Sequence, residues 1–487
     1  MWIVSVTFIV RIFPVVHSTL KMLLGQVLGM LAVVLIVPCA YSDVPIITLI
    51  SFNLPIGTQP SAGLVQGPDG GFYGTTQFGG SSNQGAVFRI ASNGTFTNLL
   101  SFTGTNGLYP GANPAGTLVL GANGNLYGTT EAGGAFDNGT IFEVTTNGLF
   151  TSLVSFTGTN GAYPGNYPTA GLAWGTNGNL YGTTQYGGTN DPADGGDGTI
   201  FEVTTNSGFI SLVSFNATNG VYIGANPAGN LVLGADGNLY GTTQYGGTND
   251  LVNGGDGTIF RITHAGAFSS LFSFNTSNGA NPQAGLVQGA NGSFYGTTFD
   301  GGSNALGEVF NITSQGLLTI LLSFNNTNGA NPQAGLVQGL DGNFYGTTKV
   351  GGTNNYGAVF QMTPTGGFTS LVYFANTNGA YPVAGLVQGS DGNFYGTTAS
   401  GGTNYAGTVF RFTPPPLFLK EWLTNGIFGC TWSAATGRTY QVQFITRLGQ
   451  TNWSNLGSAI PATNSTAITS DPMGTNQQRF YRVSLGP

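Results

Sequence analysis

Short apolar runs along this chain alternate with clusters of Gly, Asn, Asp and Pro, and the whole pattern recurs. Read from Gly335, one period runs GLVQG-LDG-NFYGTT-KVGGTNNYG-AVFQMT-PTG-GFTSLVYF. Its four runs are rich in Val, Leu, Phe, Tyr and Thr, the side chains that favour pleated positions. The first two runs are joined by Asp69, Asn123, Asn177, Asp236, Asn291, Asp341 or Asp391, each followed by Gly; these dipeptides accept the positive φ of a hairpin turn. The third and fourth meet at similar turns, such as Asn93-Gly94 and Asn147-Gly148. Nothing in the period reads as a helix, so each unit is expected to be a four-stranded antiparallel sheet.

Tyr-Gly-Thr-Thr marks the second run and begins at Tyr73, Tyr127, Tyr181, Tyr240, Tyr295, Tyr345 and Tyr395, at intervals of 54, 54, 59, 55, 50 and 50 residues. Seven copies of one supersecondary unit that needs its neighbours to bury a core predict a propeller. The ends of the array agree. After Phe410 the chain reaches Pro414-Pro415-Pro416 without a fourth strand, yet an orphan strand, Ile46 to Phe52, precedes the first repeat and carries the Ser-Phe ending of Ser101-Phe102 and Ser155-Phe156. The count balances only if this strand completes the last unit. The expectation is an all-β, seven-bladed β-propeller over residues 43–413, closed by its N-terminal strand.

The recurring text GLVQGxDGNFYGTTxxGGTNxxGxVFxxT, with the Ser-Phe strand and the NGAxP loop, resembles the Gloeo/Verruco (GloVer) tandem-repeat family of secreted bacterial proteins over about Ile46 to Thr413. The resemblance implies a β-propeller on an exported protein and brings no catalytic residues with it.

Composition sharpens this picture. Gly is abundant (82 residues), charged residues make up 6% and aromatics 12%, which favours packed sheet over disorder. Residues 1–42 read as a signal peptide: an uncharged apolar run, Met22 to Val37, follows Arg11 and Lys21, and Ala40-Tyr41-Ser42 offers small residues to a peptidase. Met22 is an alternative start. Cleavage after Ser42 removes Cys39 and His17, leaving Cys430 and His264, so no internal disulfide and no multi-histidine metal site is expected. His264 reads as an exposed turn residue. Residues 43–413 hold sixteen acidic side chains against Arg89, Arg261, Lys349 and Arg411, a balance that argues against nucleic acid. Residues 414–487 change texture, with alternating strands around Trp422, Tyr440 and Tyr481, and are expected to form a small β-sandwich-like domain, similar to fibronectin-like modules.

Alternating strands sort the loops. The Asp-Gly and Asn-Gly turns fall on one face; the loops after Tyr-Gly-Thr-Thr and the NGAxP crossovers fall on the other, longer and more variable, where binding residues tend to lie. Candidates there are Gln77, Glu131, Gln185, Tyr186, Gln244, Tyr245 and Lys349, since carboxamides beside aromatic faces suit sugars. The bland alternative is that these strand-end residues are free to drift. Matching insertions place Asp191, Asp194, Asp197, Asp250 and Asp256 in Gly-rich loops, oxygen-rich enough to be weighed as Ca²⁺ ligands, although ordinary turn chemistry explains them as well. Glu143, Glu202, Arg89 and Arg261 share one third-strand position; the expectation is that Arg89 pairs with Glu143, and Glu202 with Arg261, across adjacent blades. No catalytic constellation and no cofactor motif is evident. The reading is a secreted or cell-surface, monomeric, non-enzymatic binding or display protein for carbohydrate or another surface polymer, with no nucleic-acid partner and no membrane span once matured. Its competitors are an extracellular polysaccharide hydrolase or lyase and a purely structural scaffold.

Overall fold

The computed structural model describes residues 5–11, 33–37, 44–190, 195–218, 220–249, 254–425, 427–447, 450, 452–464, 466–472 and 479–485. The chain separates into two compact units, one of Pro45–Gly389 with Phe394–Phe412, the other of Met1–Val44, Ser390–Asn393 and Thr413–Pro487. The first unit contains seven four-stranded antiparallel sheets, and among its described residues the one helical element is a short 3₁₀ turn, Thr276–Asn278. The architecture is all-β and β-propeller-like.

Sheet 1 comprises Val65–Gln66, Phe72–Thr76, Ala86–Ile90 and Phe96–Ser101 in that order, and sheets 2 to 6 repeat it. Sheet 7 differs in origin. Its first three strands are Val387–Gln388, Phe394–Thr398 and Thr408–Phe412, and its fourth is the N-terminal Ile46–Ser51, with Ile46 opposite Phe412 and Ser51 opposite Thr408. In every sheet the third and fourth strands slip register by a bulge, as between Val87 and Phe88, which adds local twist.

Each residue of Tyr-Gly-Thr-Thr has a definite structural duty. All five residues of the second strand are buried in every sheet. The tyrosine hydroxyl binds its own hairpin turn: where the turn carries Asp it donates, from Tyr240 to Asp236 at 2.7 Å and from Tyr345 to Asp341 at 2.8 Å, and where it carries Asn it accepts, Tyr127 from Asn123 Nδ2 at 2.9 Å. In sheets 4 to 7 its ring packs on an aromatic ring of the next sheet: Tyr240 on Phe294 and Tyr295 on Phe344 at 4.0 Å, Tyr345 beside Phe394 at 4.2 Å, and Tyr395 on Phe72 at 3.9 Å. The glycine leaves room for the third-strand phenylalanine; a Cβ at Gly346 would stand 2.5 Å from Phe360 Cζ. The first threonine donates to the next sheet's inner strand, as from Thr129 to Ala170 O and from Thr242 to Ala284 O, both at 2.8 Å. Thr397 makes the same bond to Ala62 O of sheet 1 at 3.0 Å. Thr75 and Thr183, whose hydroxyls lack a partner, face the two inner strands that begin Gly116-Thr117 and Gly229-Asn230 instead of Ala-Gly. The second threonine anchors the loop that follows: Thr130 Oγ1 donates to Ala132 O at 2.9 Å and lies 2.8 Å from Thr140 Oγ1.

Apolar clusters lie between sheets rather than within them. Tyr73, Val87 and Phe102 of the first repeat pack with Leu118, Leu126 and Phe142 of the second. Likewise Tyr395 and Val409 of sheet 7 pack with Leu64, Phe72 and Phe88 of sheet 1.

The expected bridges between adjacent blades are not formed. Arg89 Nε binds Asp69 of its own hairpin turn at 2.6 Å, Glu143 accepts from Asn125 at 2.6 Å and Tyr127 at 2.8 Å, and Glu202 accepts from Asn177 at 2.9 Å. The third strand pairs with the second in its own sheet, Arg89 opposite Tyr73 and Glu143 opposite Tyr127, so its side chain meets the turn beside that tyrosine. Burial works to raise the Asp69 carboxyl, but hydrogen bonds from Arg89, the Gly71 amide and Tyr73 outweigh it and hold it below its ordinary value.

In the second unit, Phe418–Thr424, Ile427–Ser433 and Thr466–Pro472 form one sheet. The other centres on Thr439–Ile445 and Arg479–Leu485, the latter also pairing with Ser5–Arg11, which in turn pairs with Val33–Val37. Phe428, Trp432, Tyr440, Val442, Tyr481 and Val483 build its core. Cys430 lies there as a free thiol, pushed up to about 12 by burial and then by Glu421.

The crowding at the repeated glycine yields a direct test. Gly346→Ala is expected to destabilise the repeat unit by about 1–3 kcal/mol, the usual cost of overpacking a tight core, read from urea unfolding. Unchanged stability would show that Phe360 moves aside freely.

Candidate functional site

The inner strand of each sheet is preceded by a Pro-containing segment, from Pro60-Ser61-Ala62-Gly63 in sheet 1 to Pro382-Val383-Ala384-Gly385 in sheet 7. These segments and, in six of the seven sheets, the residue after Tyr-Gly-Thr-Thr line a cavity of about 710 Å³, to which all seven sheets contribute. Its size falls in the range of small-molecule sites. The lining stops at Leu64, Leu286, Leu336 and Leu386 and takes in no residue beyond them on the inner strands. At that depth, neighbouring inner strands are tied side by side: Gly63 N–H donates to Thr117 Oγ1 at 3.1 Å and Gly171 N–H to Asn230 Oδ1 at 2.7 Å.

Five of the seven ligand candidates from the sequence reach this cavity: Gln77, Glu131, Gln185, Gln244 and Lys349. Four of them pair across sheets. Gln77 Nε2 donates to Glu131 Oε2 at 3.1 Å, Ser61 Oγ approaches Gln77 Oε1 at 3.5 Å, and Gln185 Nε2 lies 3.5 Å from Gln244 Oε1. Lys349 Nζ sits 5.5 Å from the Phe299 ring centroid, a loose cation–π contact. Burial raises the Glu131 carboxyl above its ordinary value, and the Gln77 hydrogen bond only partly opposes this.

Tyr186 and Tyr245 do not line the cavity. They are 40% and 41% exposed, Tyr186 set edge-to-face against Tyr167 at 5.9 Å and Tyr245 receiving Gln244 Nε2 at 3.4 Å. Successive side chains of an extended segment point opposite ways, so where Gln185 turns inward its neighbour turns out. The cavity also contains Thr169, Asn230, Gln283, Gln333 and Tyr381, which the sequence reading passed over as crossover. Their signal was there: one or two places from a recurring Pro, a residue varies among Ser, Ala, Thr, Gln and Val while its surroundings stay constant.

Of the metal candidates, Asp191, Asp194 and Asp250 lie outside the described residues. Asp256 accepts from Thr276 Oγ1 at 3.0 Å, and the Asp197 carbonyl accepts from Asn226 N–H at 2.8 Å. Among the described residues no three His, Cys, Asp or Glu side chains converge as a metal site would require. His264 is half-buried rather than exposed, its ring 5.2 Å from that of Tyr181 in the neighbouring sheet, because the turn carrying it packs against that sheet.

Tandem two-faced sheets around a polar cavity define a β-propeller-like repeat protein. The chain belongs to the Gloeobacter/Verrucomicrobia repeat family, whose model matches residues 109–254 and 251–424. No curated protein matches it. Among solved structures, a puromycin-hydrolyzing peptidase of Mycobacterium tuberculosis is 10% identical over 82% of this chain and 62% of its own, with a TM-score of 0.46. An ulvan lyase of polysaccharide lyase family PL25, solved bound to -[GlcA(1-4)Rha3S]-, is 11% identical over 77% and 95%, with a TM-score of 0.44. A candidate 6-phosphogluconolactonase of Bacteroides uniformis is 15% identical over 80% and 96%, with a TM-score of 0.43. At such identities and scores, none of these proteins lends its activity to this one.

Glu131 gives the cavity a pH signature. Its folded-state pKa is raised above the ordinary 4.5, so its contribution to stability is full below that value and is lost as pH rises through the folded pKa. Glu131→Gln is therefore expected to melt above the parent at neutral pH, with the gap closing as the medium is acidified. A gap that does not narrow in thermal melts would contradict this.

Proposed function

We propose that the repeat unit is a closed seven-bladed propeller whose cavity binds a saccharide, on a protein exported after cleavage near Ser42. The observation that carries this is the lining itself: neutral amides and hydroxyls contributed by every sheet, around a recess of ligand size. Carboxamides donate and accept at once, as sugar hydroxyls require, and binding residues held on a rigid scaffold need little reordering on association. The cyclic succession of contacts supports closure, since Thr397, Tyr395 and Val409 meet sheet 1 as their counterparts meet the next sheet in order. No helix among the described residues is long and apolar enough to cross a membrane. Residues 414–487 are taken as a separate small module of the fibronectin-like kind, and Tyr186 and Tyr245 as outer platforms for a longer glycan. Ca²⁺ has no part in this reading.

The competing reading is a polysaccharide-cleaving enzyme, favoured by the raised carboxyl of Glu131. Hydrolysis by the common route uses two carboxyl groups flanking the bond, and Glu131 is the one carboxylate among the described lining residues. Binding without turnover is therefore expected. A glycan array paired with a reducing-end release assay on the purified protein decides. Retention of at least one saccharide class with no released ends fits the proposal, whereas cleavage of any bound polysaccharide, or an array with no signal, sinks it.

A further inference from the structure

The four cations of the repeat array are not distributed alike. Arg89, Arg261 and Arg411 occupy the third-strand position, where Arg89 binds its hairpin turn and Arg411 Nη1 donates to Ser92 O at 3.1 Å. Lys349 alone follows a Tyr-Gly-Thr-Thr, in the place that sister repeats give to Gln77, Gln185, Gln244 or Ala399. It is thereby the one cation among the described residues lining the cavity, and no described carboxylate is in ion-pair range of its ammonium. The carboxylates of the surrounding loops are engaged elsewhere: Asp137 with the Gly133 amide at 2.9 Å, Asp256 with Thr276, and Asp300 with Asn281 and Asn331 at 3.1 and 3.0 Å. The remaining acid of the lining, Glu131, is bound by Gln77.

Beside Lys349 in the same sheet stands an acceptor in need of a donor. The Lys349 amide bonds Asn331 O at 3.2 Å, which sets it against the segment carrying Gln333. Gln333 Oε1 is buried without a hydrogen-bond partner, as is Thr169 Oγ1 on the cavity's lining. A buried carbonyl oxygen without a donor is costly, and an ammonium with no carboxylate in range is open to an anion. One ligand serves both: an anionic group meets the ammonium, and a hydroxyl meets the Gln333 amide once that side chain, whose oxygen is closed to solvent, turns into the cavity it lines. A simple anion supplies only the first and a neutral sugar only the second. Because the lining ends at the inner-strand leucines, the ligand enters from the long-loop side, which a chain end does more readily than an unbroken polymer.

Resting on the saccharide reading above, we infer that the cavity is specific for an anionic sugar unit at the end of a glycan, its carboxylate or sulfate on Lys349 and a hydroxyl on Gln333. Lysine suits this role as a compact point charge that accepts either anion, without the planar bidentate demand of arginine.

The test is titration calorimetry on the full chain with four probes: an oligosaccharide ending in a uronate, one ending in a sulfated sugar, the matched neutral oligosaccharide, and sodium acetate or sulfate alone. At least one anionic oligosaccharide should bind about tenfold or more tightly than the neutral one, the ratio expected of a hydrogen bond to a charged group. Lys349→Gln, which installs the sister residue, should abolish that preference. Gln333→Val, again a sister residue, should weaken neutral and anionic sugars alike. Equal binding of neutral and anionic sugars, or a preference that survives Lys349→Gln, overturns this inference and leaves the saccharide reading standing. Failure to bind any sugar overturns both, and binding of acetate or sulfate as tight as that of the sugar overturns the sugar requirement.

Discussion

A sheet whose second strand is buried on both faces must be flanked on both sides. Every Tyr-Gly-Thr-Thr strand here is fully buried, and neighbours on both faces supply the burying atoms: the next sheet's inner-strand carbonyl and ring on the face of the tyrosine and first threonine, and the preceding sheet's tyrosine on the other, as Tyr240 covers Phe294. Stability is therefore a property of the succession of sheets, as in other repeat proteins where interface terms dominate. An array with two bare ends would expose a stacked tyrosine ring and an unmet threonine hydroxyl. Sheet 7 takes Ile46–Ser51 as its fourth strand, and its Tyr395 and Thr397 meet sheet 1.

That constraint also explains the division of labour in the repeat. The motif is held constant because its tyrosine and two threonines meet recurring partners in most sheets, and the glycine is held because Phe360 and its counterparts occupy the space a Cβ would need. Variation is greatest where no contact recurs from sheet to sheet, chiefly at the residue after the motif and at the residues near the recurring Pro. Those positions face the cavity. The scaffold's packing rules thus leave a set of side chains around one recess free to differ from sheet to sheet, and Gln77, Glu131, Lys349 and Gln333 are the differences that give it chemistry.

Much of the fold was legible in the residues, because period-2 runs, Asx-Gly turns and an orphan Ser-Phe strand each have a local cause. Less of the site was. Gln77, Glu131, Gln185, Gln244 and Lys349 could be picked out as variable strand-end positions on one face, but Tyr186 and Tyr245 were grouped with them although consecutive residues cannot both turn inward. Gln283 and Gln333 sit in segments that read as connecting chain, and only their neighbours in space make them cavity walls. The misassigned ion pairs have a similar origin. Arg89 and Glu143 match in sign across repeats, yet Asp69–Arg89 and Asn123–Glu143 are complementary within one repeat, twenty residues apart. The short-range partner wins because the hairpin carries it to the same end of the sheet.

The account depends most on Ile46–Ser51 completing the last sheet, since the inter-sheet succession and the cavity that all sheets line both follow from it. Native-state hydrogen exchange, resolved by residue, tests this directly. The amides of Ile46–Ser51 that pair with Thr408–Phe412 should be protected to the same degree as those of the corresponding strand Phe96–Ser101 in sheet 1. Exchange of Ile46–Ser51 at the rate of an unstructured peptide, with Phe96–Ser101 still protected, would contradict the account.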